Sequence, residues 1–147
     1  MGATVRQILQ SKGGSIWSVA PHTTVFEALV LMAEKDVGAL VVVEGGKLVG
    51  IISERDYARK VVLKGRSSKD TEVAELMTSG VFYVHPNQTI EECMALMTNK
   101  HIRHLPVLEG EDLVGIITIG DAVKAVMADQ EVMINSLENY IRGGYGH

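Results

Sequence analysis

The sequence is poor in cysteine, in aromatic residues and in long apolar runs. Its one cysteine, Cys93, lies in a helical pattern with apolar neighbours, so no disulfide can form within the chain and a buried thiol is expected. No run reaches the roughly 18 apolar residues of a transmembrane helix. The first residues also lack the charged start, apolar middle and cleavage site of a signal peptide. These absences predict a cytoplasmic protein with no membrane partner.

Basic residues are fewer than acidic ones, 14 against 18, so the formal net charge is −4. Without a basic block or an aromatic platform, nucleic acid is not expected as the main partner. The five histidines and Cys93 show no metal-ligand spacing, so no metal site is predicted. No Gly-x-Ser-x-Gly motif, Walker loop or nucleophile paired with a base is found, which argues against an enzyme.

The sequence does contain an internal repeat. The stretch Leu48–Asp56 returns as Leu113–Asp121, and the two copies are 65 positions apart. The same spacing without gaps relates Val19 to Val84, Pro21 to Pro86, Thr24 to Thr89, Leu40 to Leu105 and Gly50 to Gly115. Further upstream the spacing is 68, so the first copy carries about three extra residues around Lys12. Proline, glycine and aspartate kept in register indicate a true duplication.

Each copy predicts the order helix, strand, helix, strand, turn, strand, helix. In the first copy these elements are Thr4–Leu9, Ile16–Val19, Val25–Lys35, Ala39–Val43, Leu48–Ile52 and Tyr57–Leu63. One such α+β unit has a short sheet that cannot cover both of its own faces, so two copies are expected to cover each other in one pseudo-two-fold domain. A further amphipathic helix is predicted over Asp129–Arg142, with Met133, Leu137, Tyr140 and Ile141 on one face, followed by a loose tail.

A hydroxyl residue ends the last strand of each copy, and an aspartate follows three residues later. These residues are Ser53 with Asp56, and Thr118 with Asp121. A hydroxyl and a carboxylate at the start of a helix can hold the vicinal hydroxyls of a ligand, and the helix N-terminus favours anionic groups nearby. The alternative is that they only cap the helix and match its dipole. Their repetition favours a paired binding site.

These features together resemble a tandem pair of CBS domains, also called a Bateman module. The resemblance rests on the order of elements, the Val-x-Pro start of each copy, Leu-Pro-Val at 105–107 and the two Gly-Ile-Ile motifs with their aspartates, from about Val5 to Met127. It implies an α+β fold of two pseudo-symmetric repeats, over residues 1–66 and 71–127, with a C-terminal helix and tail over 128–147. Stand-alone CBS pairs of this kind are described in bacteria as candidate signal-transduction proteins.

The resemblance implies a regulatory module that senses adenosine-containing ligands in two clefts between the repeats and transmits its state to a protein partner. AMP, ADP, ATP and NAD are the expected ligands, and S-adenosylmethionine is less favoured. In such modules the aspartate holds the ribose, backbone groups meet the adenine edge and basic groups take the phosphates. A homodimer is expected as well. The alternative is a purely structural or oligomerisation module with unoccupied clefts.

Carried over by position, the resemblance assigns residues to each cleft. The first cleft would combine Ser53 and Asp56 with Gly80, Val81, Phe82, Arg103, His104 and Pro106. The second would combine Thr118 and Asp121 with Ser15, Ile16, Trp17, Gly38, Ala39 and Val41, and Arg55 would point toward its phosphates. Alternatively, Arg55 and Arg103 are ordinary surface or ion-pair residues, and Trp17 is a core or dimer contact instead of a platform for a purine.

Overall fold

The computed structural model describes residues 2–13 and 15–144, and its elements alternate between helices and short strands. In chain order they are α1 (Val5–Lys12), β1 (Ser18–Val19), α2 (Val25–Lys35), β2 (Ala39–Glu44), β3 (Lys47–Ser53), α3 (Glu54–Tyr57), α4 (Ile90–Lys100), β4 (His104–Glu109), β5 (Asp112–Thr118) and α5 (Ile119–Gly144). A π-helical turn, Ala58–Val62, continues α3, and a 3-10 turn, Val73–Glu75, lies at the start of the second repeat. Two repeats, each with a short sheet and helices, confirm the predicted α+β class.

The chain forms two compact units. Among the described residues, the first unit contains 2–13, 84–107 and 115–144, and the second contains 15–83 and 108–114. The compact units therefore do not coincide with the sequence repeats. Each unit contains most of one repeat together with the first residues of the other repeat. We call residues 2–13 the first lead-in segment and residues 71–78 the second lead-in segment.

In the first unit, backbone hydrogen bonds attach the first lead-in segment to the second repeat. The Val5 amide donates to the Gln88 carbonyl at 2.8 Å, and the Ile90 amide donates to the Ala3 carbonyl at 2.9 Å. The first lead-in segment contributes Val5 and Ile8 to the buried residues of this unit. Other buried core residues among the described part of the unit are Val84, Ile90, Cys93, Met97, Leu105, Val107, Ile117 and Ala122.

The second unit repeats this arrangement. The Val73 amide donates to the Thr23 carbonyl at 2.8 Å, and the Val25 amide donates to the Thr71 carbonyl at 2.8 Å. Each of these four residues is the counterpart, in the duplicated sequence, of one that forms the bonds of the first unit. The core of the second unit is a single apolar cluster made of Val25, Ala28, Met32, Leu40, Val42, Ile52, Val61, Val73 and Leu76.

The first strand of each repeat is shorter than the sequence predicts, whereas β2 and β3 each extend slightly beyond their predicted bounds. In the second unit β2 pairs with β3 in antiparallel fashion and with β1 in parallel fashion, but β1 covers only Ser18–Val19 instead of the predicted Ile16–Val19. In the second repeat the matching strand is reduced to one parallel bridge, between Val84 and Val107, beside the two-stranded β4–β5 sheet. Edge positions such as these make few ladder hydrogen bonds, so apolar alternation overestimates their length.

The C-terminal segment differs from its prediction. One helix, α5, runs without interruption from Ile119 to Gly144, so the helix predicted to begin at Asp129 is the continuation of the closing helix of the second repeat. No glycine or proline lies between residues 121 and 142 to end the helix earlier. Residues 143 and 144, predicted as tail, are helical, and residues 145–147 lie outside the described residues. On the predicted apolar face, Leu137 is exposed; the side chains of Met133, Tyr140 and Ile141 are outside the described part.

Two predictions from the composition can be compared with the structure. Cys93 is fully buried, as predicted, and burial, with smaller contributions from Glu92 and Glu91, raises the pKa of its thiol to about 11. None of the helices in residues 2–13 and 15–144 combines the length and the apolar character needed to cross a bilayer.

Candidate functional site

The Ser53–Asp56 pair lies where β3 passes into α3. Ser53 is the N-cap of α3: its Oγ accepts a hydrogen bond from the Asp56 amide at 3.2 Å and donates one to Asp56 Oδ2 at 3.0 Å. The Ser53 amide donates to the same Oδ2 at 2.9 Å. Lys60, one turn further along, places Nζ 3.3 Å from the other carboxylate oxygen, Oδ1. The carboxylate is therefore fixed on the helix start and is mostly, but not fully, buried.

The Thr118–Asp121 pair has the same geometry where β5 passes into α5. The Thr118 amide donates to Asp121 Oδ2 at 2.9 Å, and Thr118 Oγ1 accepts from the Asp121 amide at 3.1 Å. The capping role weighed as the alternative in the sequence is thus present in both repeats. It does not compete with ligand binding, since an ionised carboxylate has about four lone-pair sites and capping uses only part of them.

Asp121 differs from Asp56 in its cation. Lys12, the last residue of α1, places Nζ 2.7 Å from Asp121 Oδ2, and the same Nζ donates to the Ile116 carbonyl at 2.9 Å. Burial alone would raise the pKa of Asp121, but the hydrogen bonds from Lys12 and from the Thr118 amide outweigh burial and hold the pKa below its ordinary value. The carboxylate is therefore ionised throughout the neutral range.

His104 and Arg103 belong to the same unit as Asp121. Burial is the largest influence on His104 and lowers the pKa of its imidazole; the charge of Asp121 raises that pKa, while Lys12 and Arg103 lower it further. His104 is therefore neutral near pH 7 and lies within electrostatic reach of all three charged groups. The Arg103 carbonyl accepts from the Ile119 amide at 2.9 Å, which fixes the start of β4 against the start of α5.

The counterpart of this bond in the second unit joins Gly38 to the start of α3. The Gly38 carbonyl accepts from the Glu54 amide at 3.0 Å, and Ala39 pairs with Ser53 in the β2–β3 ladder. Gly38 and Ala39 thus lie beside the Ser53–Asp56 pair, just as Arg103 and His104 lie beside the Thr118–Asp121 pair. Each unit brings one hydroxyl–carboxylate pair together with the start of its own first long strand.

The other predicted site residues are distributed between the units. Pro106 is buried in the first unit. The second unit holds Ser15, Ile16, Trp17, Gly38, Ala39, Val41, Arg55, Gly80, Val81 and Phe82. Lys35 places Nζ 4.3 Å from the centre of the Trp17 ring, a cation–π contact that occupies one face of the indole. Because each predicted cleft draws residues from both units, the assignment of residues to clefts stays a prediction.

Sequence reasoning missed the two lysines. Lys60 is four residues after Asp56, a helical spacing that brings the side chains of such residues together, and this signal was available. Lys12 had no comparable signal, since it is 109 positions from Asp121. The only indication was that Lys12 lies within the extra residues of the first repeat. Within residues 2–13 and 15–144, no group of three or more His, Cys, Asp or Glu side chains is arranged to hold a metal ion.

Solved structures resemble the chain over most of its length. A CBS-domain protein from Burkholderia ambifaria MC40-6, assigned provisionally to signal transduction, is 56% identical with a TM-score of 0.84, over 87% of this chain and 96% of that one. The CBS domain pair of protein MJ0100, solved with 5′-methylthioadenosine and S-adenosyl-L-methionine, is 24% identical with a TM-score of 0.78, over 88% of this chain and 99% of that one. The second likeness concerns the fold alone.

Sequence comparisons identify the family. The mitochondrial CBS domain-containing protein CBSX3 of Arabidopsis thaliana is 40% identical over 152 residues, which cover 97% of this chain and 73% of the relative. The profile of the CBS domain matches twice, over residues 5–63 and 73–128. Pairs of CBS domains are regulatory, ligand-sensing modules. The chain therefore belongs to the CBS-domain family and carries two copies of the domain.

Proposed function

We propose that the protein is a regulatory module that binds adenine nucleotides through the Ser53–Asp56 and Thr118–Asp121 pairs and passes its state to a protein partner. The observation that carries the proposal is that both aspartates, one in each repeat, are held by the same backbone and hydroxyl contacts at the start of a helix. Preorganised carboxylates can accept both hydroxyls of a ribose without a change in rotamer. We propose no catalytic role and no catalytic cofactor.

The nature of the ligand follows from the chemistry around the pairs. Each carboxylate favours a cis-diol, and the cations Lys60 and Lys12 lie directly beside them. Adenosine-containing ligands with phosphates, namely AMP, ADP, ATP or NAD, satisfy both features. The methylthioadenosine and S-adenosylmethionine complex of MJ0100 supports the view that this fold can hold an adenosine group. These ligands are intracellular metabolites, so the cytoplasmic location predicted from the sequence remains part of the proposal.

Calorimetric titration tests this function. Wild-type protein is titrated with AMP, ATP, NAD and S-adenosylmethionine, and the titrations are repeated on Asp56→Ala and Asp121→Ala. Each substitution removes a charged hydrogen-bond acceptor worth about 1.5–3 kcal/mol, so each is expected to weaken one site by about tenfold or more. A ligand at about 100 times its dissociation constant should also add roughly 2.7 kcal/mol of stability, visible as a shift in melting temperature.

Two control variants match the change in charge. Glu54→Ala removes an exposed acid from the same helix turn as Asp56, and Asp129→Ala removes an exposed acid from α5; both should leave binding within about twofold, because exposed charges interact weakly. If wild-type protein gives neither heat nor a melting shift with any of the four ligands, the proposal is rejected in favour of the structural alternative.

We further propose that the protein acts as a homodimer and that α5 contributes to the contact. Four large apolar side chains of α5, each roughly half exposed, fall on one stripe at spacings of three, four and seven residues: Val123, Met127, Ile134 and Leu137. Such an exposed apolar stripe is typical of a helix that packs against another subunit. Closed two-fold symmetry is the commonest way to bury it.

Sedimentation equilibrium tests the dimer. The wild-type chain is expected at twice its 16.0 kDa mass, and Ile134→Lys combined with Leu137→Lys is expected at the monomer mass, because two ammonium groups would be buried in an apolar contact. Ser136→Lys adds one such charge on the opposite side of the helix and should remain a dimer. A wild-type monomer, or a double variant that still dimerises, would contradict this contact.

A further inference from the structure

We propose that Lys12 is a ligand-binding residue of the Asp121 site and makes this site select adenosine ligands that carry an anionic group over neutral or cationic ones. The proposal rests on the proposed function, because it names the ligand class and an additional residue of one of its two sites. No residue of the first lead-in segment before Ser15 is among those predicted from the family resemblance.

Lys12 has more N–H donors than described acceptors. Its ammonium group carries three N–H donors, and among the described residues it has two acceptors, Asp121 Oδ2 and the Ile116 carbonyl. Lys12 and the Thr118 amide both donate to Asp121 Oδ2, and neither uses the second carboxylate oxygen, Oδ1. A ribose hydroxyl can therefore donate to Oδ1 while the third N–H of Lys12 donates to a ligand oxygen. The pair offers an acceptor and a donor side by side, without breaking the ion pair that positions them.

The local charge favours an anion. Asp121 is ionised and Lys12 balances its charge, His104 is neutral, and Arg103 adds one positive charge within electrostatic reach of His104. Of the three charged groups that act on the pKa of His104, two are positive and one is negative. A phosphate gains from this excess of positive charge, a neutral nucleoside is little affected, and the sulfonium of S-adenosylmethionine is repelled. Asp121 is largely shielded from solvent, whereas Lys12 is an exposed residue, so solvent screens part of this preference.

Lys12 is held in place by the fold, unlike an ordinary surface lysine. It ends α1, whose residues Val5 and Ile8 are buried and whose Leu9 packs on Gly115 of β5. Gly13 follows with φ +91°, a backbone conformation that suits glycine, so the helix stops directly after the lysine. A side chain anchored in this way loses little entropy when a ligand binds, which strengthens its contribution to affinity.

The Asp56 site lacks this lysine and provides an internal comparison. No lysine occurs at residues 78–82, where the second repeat would carry its counterpart. Lys60 approaches Asp56 instead, from one turn along its own helical segment, and is bound to the Leu76 carbonyl at 3.0 Å. The two sites thus have cations that reach the carboxylate by different routes, and each lysine can be removed without touching the other site.

The test isolates the Asp121 site by using Asp56→Ala protein as the background. This protein and its Lys12→Met, Lys12→Arg and Lys60→Met derivatives are titrated calorimetrically with AMP, adenosine and S-adenosylmethionine. Lys12→Met is expected to weaken AMP binding by about tenfold or more, since one charge-assisted hydrogen bond is lost, and to weaken adenosine by less than about threefold. S-adenosylmethionine should bind equally well or more tightly.

Two control variants accompany this test. Lys12→Arg should keep most of the AMP affinity, and Lys60→Met should leave the ratio of AMP to adenosine affinity unchanged.

Three outcomes would overturn the proposal. Equal losses for AMP and adenosine in Lys12→Met would mean that the lysine only supports Asp121, and unchanged affinities would mean that it takes no part in binding. A background protein that binds none of the three ligands would reject this proposal together with binding at Asp121, whereas an unchanged ratio of AMP to adenosine affinity with retained binding would reject only the role of Lys12. Far-ultraviolet circular dichroism of each variant verifies that it is folded.

Discussion

Replacing Leu105 with alanine is expected to lower the free energy of unfolding by about 2–5 kcal/mol, the range for removing a buried leucine side chain. Leu105 lies in β4 with no exposed surface. A chain of this kind has about 5–15 kcal/mol of total stability, so the loss is a large share of it. Urea denaturation, followed by circular dichroism, measures the change as a lower midpoint with an unchanged slope.

The duplication supplies a matched variant in the other unit. Leu40 is the counterpart of Leu105, is also fully buried and belongs to the core cluster of the second unit, so Leu40→Ala should cost a similar amount. Leu63 is 77% exposed, and Leu63→Ala should change stability by no more than about 0.5 kcal/mol. A midpoint for Leu105→Ala equal to that of Leu63→Ala would show that the first unit lacks the packed interior described above.

Replacing Gly50 with alanine is the second change with a large expected effect, about 3 kcal/mol, at the upper end of the range for overpacking. An added Cβ would lie 2.6 Å from Met77 Sδ and 3.0 Å from the Thr78 carbonyl oxygen. Thr78 cannot move aside easily, because its amide and carbonyl form two hydrogen bonds, of 2.9 and 3.1 Å, with Ile51. Thermal unfolding should show a clear drop in melting temperature.

Gly115, the counterpart of Gly50, tests whether the fixed backbone of Thr78 causes the large loss of stability expected for Gly50→Ala. At Gly115 an added Cβ would meet only the side chain of Leu9, with Cδ2 at 2.5 Å, and a leucine tip can rotate away. Gly115→Ala should therefore cost less, about 1 kcal/mol, and Leu9→Ala should relieve that cost in a double-mutant cycle. Met77→Ala should relieve Gly50→Ala only in part. Equal costs at the two glycines would contradict the role assigned to Thr78.

Local features of the fold could be predicted from the sequence. The helix over Val25–Lys35 begins and ends where the apolar spacing and the capping threonine indicate, and the hydroxyl–carboxylate pairs lie at the strand–helix junctions as expected. Each depends on residues within a few positions of one another, which is the range over which periodicity and capping act. The same holds for the burial of Cys93 on α4.

Each lead-in segment lies in the unit that holds most of the other repeat, and this exchange of lead-in segments could not be predicted from the sequence. A duplicated sequence is equally compatible with α1 packing on its own repeat or on the other one, because the receiving surfaces, including Gly50 and Gly115, are nearly identical. The choice depends on contacts between distant residues, such as Leu9 with Gly115. The cation at Asp121 was missed for the same reason, since Lys12 reaches the site only through the exchange.

The exchange also determines the order in which the molecule can fold during synthesis. The core of the second unit lies entirely between Val25 and Leu76, so that core can form as soon as those residues have left the ribosome. Asp121 follows Lys12 by 109 positions, so α1 is made roughly 5–20 s before Asp121 at typical rates of translation. During that interval Leu9 has no Gly115 to pack against. Of the two lead-in segments, the first therefore waits for residues that are made long after it, whereas the second finds its partners Thr23 and Val25 already made.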